Sequence, residues 1–241
     1  MGRTESNATH VQVNRPLFDE FATVLEREEW DVALLQEAPP RWHEPLCSRL
    51  GVSGALALTS RNAAAAVRGR VAEWNPDLIA SNEGGSNQIL ARPPWRIAES
   101  RRLTLARLPE RRRALWVFLE RDDAPALSIL NLHASANRPH AAAREVLRAA
   151  EWSAEHQLLL FGGDLNLRPA AQPQVFHGLE ESFGLAPPTA PDAIDHVLAR
   201  GLEVLDPPRL VAAERRELDA AGGLRVRLSD HAFAAARFAM K

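Results

Sequence analysis

The order of apolar and polar runs predicts an α/β fold in which two packed β-sheets carry helices on their outer faces, within one domain spanning 1–241. Three observations lead there. Helical segments alternate with short continuous apolar runs of strand length. The middle third holds six strand-like segments in succession without helices between them, which favours antiparallel pairing. A doubly wound parallel sheet needs a crossover in each such gap and fits less well.

The elements follow in order. Pro16 suits a first helical position, and Phe18, Phe21, Val24 and Leu25 stripe a helix running to about Trp30. "DVALLQE" (Asp31 to Glu37) reads as a buried strand. A second helix runs from Pro39 or Pro40 to Leu50, and the alanine-rich stretch Arg61 to Trp74 is predicted helical. The six strand-like pieces are "DLIAS", "NQILA", "WRIAES", "RRLTLARL", "RALWVFLE" and "ALSILNLH". A helix from about Arg138 to Glu155 precedes the strand "QLLLFGGD", and a short one covers Gln172 to Phe183. "AIDHVLA", "LEVLDPP" and "SDHAFAAARF" close the chain as strands.

Composition narrows the chemistry. Apolar residues make up 46% and charged residues 25%, an ordinary globular balance with material for a core. A net charge of −2 gives no whole-protein attraction to nucleic acid or anionic membrane, though local patches still steer ligands. Cys47 is the sole cysteine, which excludes an internal disulfide and a thiolate metal cage; a metal here takes oxygen or imidazole ligands. No apolar run reaches bilayer-spanning length and the N-terminus lacks a secretory apolar segment, so the expected location is cytoplasmic. Basic charge is almost all arginine, whose planar fork suits phosphate.

Polar residues gather at one kind of place. Glu37 ends "DVALLQE", His133 ends "ALSILNLH", and Asp164 and Asn166 follow "QLLLFGG". Asp195 lies within "AIDHVLA", and Asp230 and His231 open the last strand. A carboxylate or imidazole beside a core strand is costly unless paired, hydrogen-bonded or metal-bound. On extended chain the two-residue spacing points Asp164 and Asn166 to one face, and Gly162 and Gly163 bring the strand end close to that site. Should the strand ends converge, they form a site of acids, an amide and imidazoles whose hard donors suit Mg²⁺ or Mn²⁺.

The ordered set "LLQE", "NLHA", "GGDLN", "IDHVL" and "SDH", from about Asp31 to Phe238, resembles the endonuclease/exonuclease/phosphatase superfamily with its deoxyribonuclease I-like fold. The resemblance implies a four-layered α/β sandwich, two packed mixed β-sheets flanked by helices, and divalent-metal-dependent cleavage of phosphate esters. By motif, Glu37 matches the principal Mg²⁺ ligand and Asp230 a direct or water-mediated one. Asp164 matches the residue that orients or deprotonates the attacking water, and Asn166 the amide that fixes the phosphate or that carboxylate. Asp195 and His231 match an Asp–His pair; Asp164 and His231 both stand as proton acceptors. His133 matches a group that hydrogen-bonds the phosphate or protonates the leaving oxygen. The implied cofactor is Mg²⁺ or Mn²⁺. The implied partner is a phosphate-ester substrate, DNA or a small phosphorylated molecule, with no protein partner indicated.

The family's opening Thr-x-Asn strand is replaced by "NATHVQVN", where Asn7, His10 or Asn14 stands in for the missing amide, or the first strand is truncated. Alternatives to a phosphodiesterase or nuclease therefore include a phosphomonoesterase, a lipid-headgroup phosphodiesterase, and a catalytically weakened binding module. Glu83 or Asn87 in "SNEGGSNQIL" reads as a site contact or as part of a Gly-rich hairpin loop. The six arginines between Arg101 and Trp116 read as a solvated hairpin or as a grip on phosphates, with the turn at Pro109–Glu110. The tryptophans read mostly as packing anchors.

Overall fold

The computed structural model describes residues 10, 16–59, 85–108 and 110–240. The expected helix at 61–74, the strand at 77–81, and Asn7, Asn14, Glu83 and Pro109 lie outside them.

Two main sheets form the centre. Strands β1 (Val32–Ala38), β2 (Ser53–Leu58) and β3 (Ser86–Ala91) make an antiparallel sheet in the order β1-β3-β2. Strands β4 (Arg96–Ala106), β5 (Arg112–Arg121), β6 (Ala124–His133), β7 (Leu159–Asp164) and β8 (Asp195–Arg200) make a mixed sheet in chain order. Its single parallel pair, β6 with β7, is joined by the helix α3 (Pro139–Trp152), as a parallel connection requires. The antiparallel expectation for the middle strands holds. "WRIAES" and "RRLTLARL" are one long strand, β4, and "SGALAL" adds a strand, β2, that the apolar pattern did not single out.

The facing sides of the sheets bury Ala55, Ala57, Ile89, Leu115, Val117, Leu119, Leu127 and Ile129. The outer side of the five-stranded sheet packs under α3 and α4 (Pro173–Phe183) through Leu130, Leu132, Phe161, Val146 and Leu179. Helices α1 (Phe18–Arg27) and α2 (His43–Leu50) cover the three-stranded sheet, with Ala22, Val24 and Leu46 buried. Gly54 on β2 admits α2: a Cβ there would lie 2.4 Å from Cys47 Sγ. Burial against that strand pushes the thiol up to about 11, so Cys47 is a packing residue. The outcome is four layers, helix, sheet, sheet, helix. Trp95 and Trp116 are core, and Trp42 packs edge-on against Phe18, as packing anchors.

The chain closes with β9 (Leu202–Leu210) paired to β12 (Ala234–Met240), and a small hairpin, β10 (Glu217–Asp219) with β11 (Arg225–Arg227). Asp230 and His231 do not open the last strand as expected: it begins at Ala234, and they sit in the preceding loop, where the His231 N–H donates to Ser229 Oγ at 3.1 Å. No helix among the described residues is long and apolar enough to cross a membrane.

Candidate active site

The C-terminal ends of β1, β6 and β7 and the start of β8 meet at one edge of the sandwich. Parallel register sets His133 beside Asp164, and antiparallel register sets Asp164 beside Asp195. Sequence neighbours of core strands thereby become neighbours in space.

Glu37 sits on a β-bulge: between Leu35 and Ala38 the first strand advances three residues while β3 advances two. Its φ of +54° is left-handed, uncommon for a residue with a Cβ. The bulge turns its side chain out, leaving it 76% exposed with Oε1 3.7 Å from His133 Nδ1. A buried polar network holds this strained segment. Asn131 Nδ2 donates to Leu35 O (3.0 Å) and Gln88 O (2.8 Å), while Asn131 Oδ1 accepts from Gln36 Nε2 (2.7 Å). Ser86 Oγ donates to Ala38 O (2.8 Å), and Gln88 Nε2 to Pro39 O (3.3 Å). Three carbonyls of the segment 35–39 are thus fixed by side chains. None of these residues was singled out in the sequence; the available signal was a polar residue inside an apolar strand run.

Asp164 is buried at the end of β7. Its Oδ1 accepts from the Asn166 N–H at 2.9 Å, and its Oδ2 lies 3.4 Å from His133 Nε2. Burial first, then the Asp195 charge, push its carboxyl up to about 6. Asn166 is not on extended chain: at φ +51° it closes a turn over Asp164 and donates its Nδ2 to Ala134 O at 3.1 Å. The two residues meet through this turn rather than through strand alternation. The glycines permit close backbone approach at this strand end. A Cβ on Gly162 would lie 2.5 Å from His196 O, and one on Gly163, at φ +120°, would lie 2.1 Å from Leu132 O. Their bare backbone lets β6, β7 and β8 close up beneath the site.

Asp195 opens β8, and its Oδ2 lies 2.9 Å from His231 Nδ1. Burial raises the Asp195 carboxyl against the pull of His231. Burial alone would lower His231, but Asp195, Asp164 and Asp230 together raise it. Asp230 is exposed, and its charge acts on both Asp195 and His231. Burial, then Arg112 and His231, push His133 down to about 3, so it is neutral at ordinary pH. A neutral imidazole is a hydrogen-bonding group. The adjacent His196 is structural: its Nδ1 accepts from the Thr189 N–H, which leaves Nε2–H to donate to Leu167 O at 3.1 Å.

Ligand atoms of Asp164, Asp195 and His231 lie within 4.8 Å of one another. Asp195 and His231 are committed to each other, so Glu37, Asp164 and Asp230 offer the remaining carboxylate oxygens, a hard donor set. The repulsion that raises Asp164 is relieved by a cation. Oxygen donors of this kind suit a hard divalent cation. His10 Nε2 lies 2.8 Å from Glu217 Oε1, and the residue bridges in parallel to Arg225 on the small hairpin. Asn87 is fully buried and donates to Arg113 O at 2.8 Å.

Comparison with known proteins agrees with this architecture. An endonuclease/exonuclease/phosphatase family protein from Bacteroides thetaiotaomicron is 13% identical, with a TM-score of 0.67 over 93% of this chain and 89% of that one. D. rerio TDP2 complexed with a single-strand DNA product is 15% identical, with a TM-score of 0.61 over 92% of this chain and 90% of that one. The human Nocturnin catalytic domain with bound sulfate is 18% identical, with a TM-score of 0.56 over 77% of each chain. No curated protein matches the sequence. A family model described as the Endonuclease/Exonuclease/phosphatase family matches residues 11–231, and the chain belongs to that family.

Proposed function

We propose that this chain is a divalent-metal-dependent phosphodiesterase or nuclease, acting at the pocket that Glu37, His133, Asp164, Asn166, Asp195, Asp230 and His231 line. Family membership supports a phosphoesterase. The observation that carries the finer reading is the Asp195–His231 pair at 2.9 Å beside a buried Asp164 raised to about 6, two proton acceptors around one small space.

Glu37 and Asp230 would hold Mg²⁺ or Mn²⁺, which when bound would supply positive charge for the phosphoryl oxygens. The remaining chemistry belongs to the chain. Asp195 holds His231 Nδ1–H, which fixes the tautomer and leaves Nε2 as the basic atom. The Asn166 N–H aims the Asp164 carboxylate, and a group titrating near 6 accepts a proton efficiently near neutral pH. Water attacks phosphorus in line: a new P–O bond forms, the ester P–O bond breaks, and the water proton passes to Asp164 or His231. Neutral His133 donates a hydrogen bond to a phosphoryl oxygen and leaves protonation of the departing alkoxide to solvent.

The test is plasmid nicking and turnover of bis(p-nitrophenyl) phosphate, with Mn²⁺ and with EDTA. Metal-dependent turnover that is lost in Glu37→Ala and His231→Ala supports the reading. Unchanged turnover in both variants, or phosphate release from monoesters alone, contradicts it.

A further inference from the structure

We propose that Arg102, Arg107, Arg111 and Arg113, at the turn end of the β4–β5 hairpin, form a second phosphate subsite beside the pocket, selecting esters that carry a further phosphate next to the scissile one; this rests on the phosphoesterase reading above.

The register groups these residues. Arg102 stands opposite Leu115 and Thr104 opposite Arg113, so Arg102 and Arg113 share one face as diagonal neighbours. Leu115 and Val117 bury that same face between the sheets, and Arg111 continues its alternation beyond the strand. At the pocket edge the apolar inter-sheet face therefore gives way to cations.

Charge pairing singles the four out. Elsewhere on the hairpin Arg96 pairs with Asp122, Arg101 with Glu99, Arg112 with Glu110, and Arg121 with Asp123. Among the described residues no carboxylate pairs with Arg102, Arg107, Arg111 or Arg113. Two of them are anchored on neutral carbonyls: Arg102 Nε on Leu56 O (2.7 Å), and Arg111 Nε and Nη2 on Thr59 O (3.2 and 3.0 Å). These bonds orient the guanidinium groups without cancelling their charge. Arg102 and Arg107 are exposed. The four also repel one another: burial, then Arg111, Arg102 and Arg107, lower the Arg113 guanidinium. An anion relieves that repulsion, and arginine's fork matches phosphate.

Arg111 is linked to the backbone of Glu37 through Thr59 and Gly85. The Thr59 N–H donates to Gly85 O at 2.9 Å, and a Cβ on Gly85 would lie 3.1 Å from Thr59 Oγ1 and 3.4 Å from Glu37 Cα. Arg111, Thr59, Gly85 and Glu37 thus form one continuous wall. Arg112, between two members of the cluster, acts on His133.

The experiment uses Arg102→Gln/Arg107→Gln and, where folding is in question, the single exposed Arg107→Glu. Calorimetry with inorganic tripolyphosphate in EDTA reads the subsite without metal or turnover; loss of about tenfold in affinity is expected. KM is then compared for bis(p-nitrophenyl) phosphate, for 5′-phosphorylated thymidine oligonucleotides of increasing length, and for a small polyphosphorylated ester. The variants raise KM for the multiply phosphorylated substrates by a similar factor and leave the one-phosphate substrate unchanged. KM that falls with oligonucleotide length identifies the nucleic-acid backbone as the source, and the strongest effect on the small ester identifies a polyphosphate; either supports the subsite. Equal tripolyphosphate affinity in wild type and variants overturns it, as does an equal loss on all substrates. Failure of the wild type to turn over any ester overturns the phosphoesterase reading while the calorimetry still judges the subsite.

Discussion

Replacing Asn131 with leucine, close to it in volume, removes the centre of the network that holds the Glu37 bulge. Three partners lose a bond, Gln88 O buried and Gln36 Nε2 and Leu35 O part-buried. Each lost bond costs about 1 kcal/mol, so the variant should lose about 3 kcal/mol of stability. That leaves most single domains folded, since total stability is about 5–15 kcal/mol. The consequence for function should be larger than for folding. Glu37 is held at φ +54° by its neighbours, and release of Leu35 O and Gln36 lets the bulge relax. A displacement of about 1 Å at a reacting group costs on the order of 10²-fold in rate. Urea unfolding measures the first quantity, and Mn²⁺-dependent turnover of bis(p-nitrophenyl) phosphate with Mn²⁺ calorimetry measures the second. An Asn131→Leu protein that loses under about 1 kcal/mol, with metal affinity and turnover intact, would refute the positioning argument.

Asp164→Asn should stabilise the metal-free protein at neutral pH. The folded-state carboxyl is raised from the ordinary 3.8 to about 6, so its contribution is fully present below 3.8 and is lost as pH rises through 6. Wild type should therefore lose about 3 kcal/mol relative to the variant between pH 3 and pH 8, read from urea midpoints in EDTA; parallel pH curves would contradict this. His231→Gln should lower kcat by about 10²–10⁴-fold and abolish the acid limb of the pH–rate profile, whose midpoint in wild type lies above the ordinary histidine value. A retained acid limb would assign it to Asp164. Gly163→Ala meets Leu132 O at 2.1 Å with a left-handed φ, and should cost several kcal/mol, on the order of the largest single-residue effects. Gly178→Ala, within α4 and with nothing nearby, should gain about 0.5–1 kcal/mol; thermal melting measures the pair, and a Gly163→Ala protein that melts with wild type would contradict the backbone contact.

Much of the sandwich was legible because its core strands are uninterrupted apolar runs and its helices have clear stripes. The ends of β1, β6, β7 and β8 could be read as a set because an acid, imidazole or amide next to a core strand has to be accounted for. What escaped notice was structure without an apolar signature. In "SGALAL" small residues occupy β2 because Gly54 makes room for α2, so the run reads as weakly strand-like. The hairpin of β10 and β11 is short and polar. The bulge at Glu37 depends on Asn131, Ser86 and Gln88, residues remote in sequence, and a local pattern carries no trace of the extra residue. Asn166 illustrates the same limit: two-residue spacing suggested a shared strand face, whereas a left-handed turn brings it over Asp164. The loop that carries Asp230 and His231 is joined in sequence to an alanine-rich strand, which made the strand seem to begin five residues early.

Anomalous diffraction from a Mn²⁺-soaked crystal tests the central claim most directly, because it locates the cation without assuming a substrate. A peak at coordination distance from the Glu37 carboxylate, with His231 still paired to Asp195, is the predicted result. Saturating Mn²⁺ that leaves Glu37 without a peak, or that binds by separating Asp195 from His231, would contradict the account.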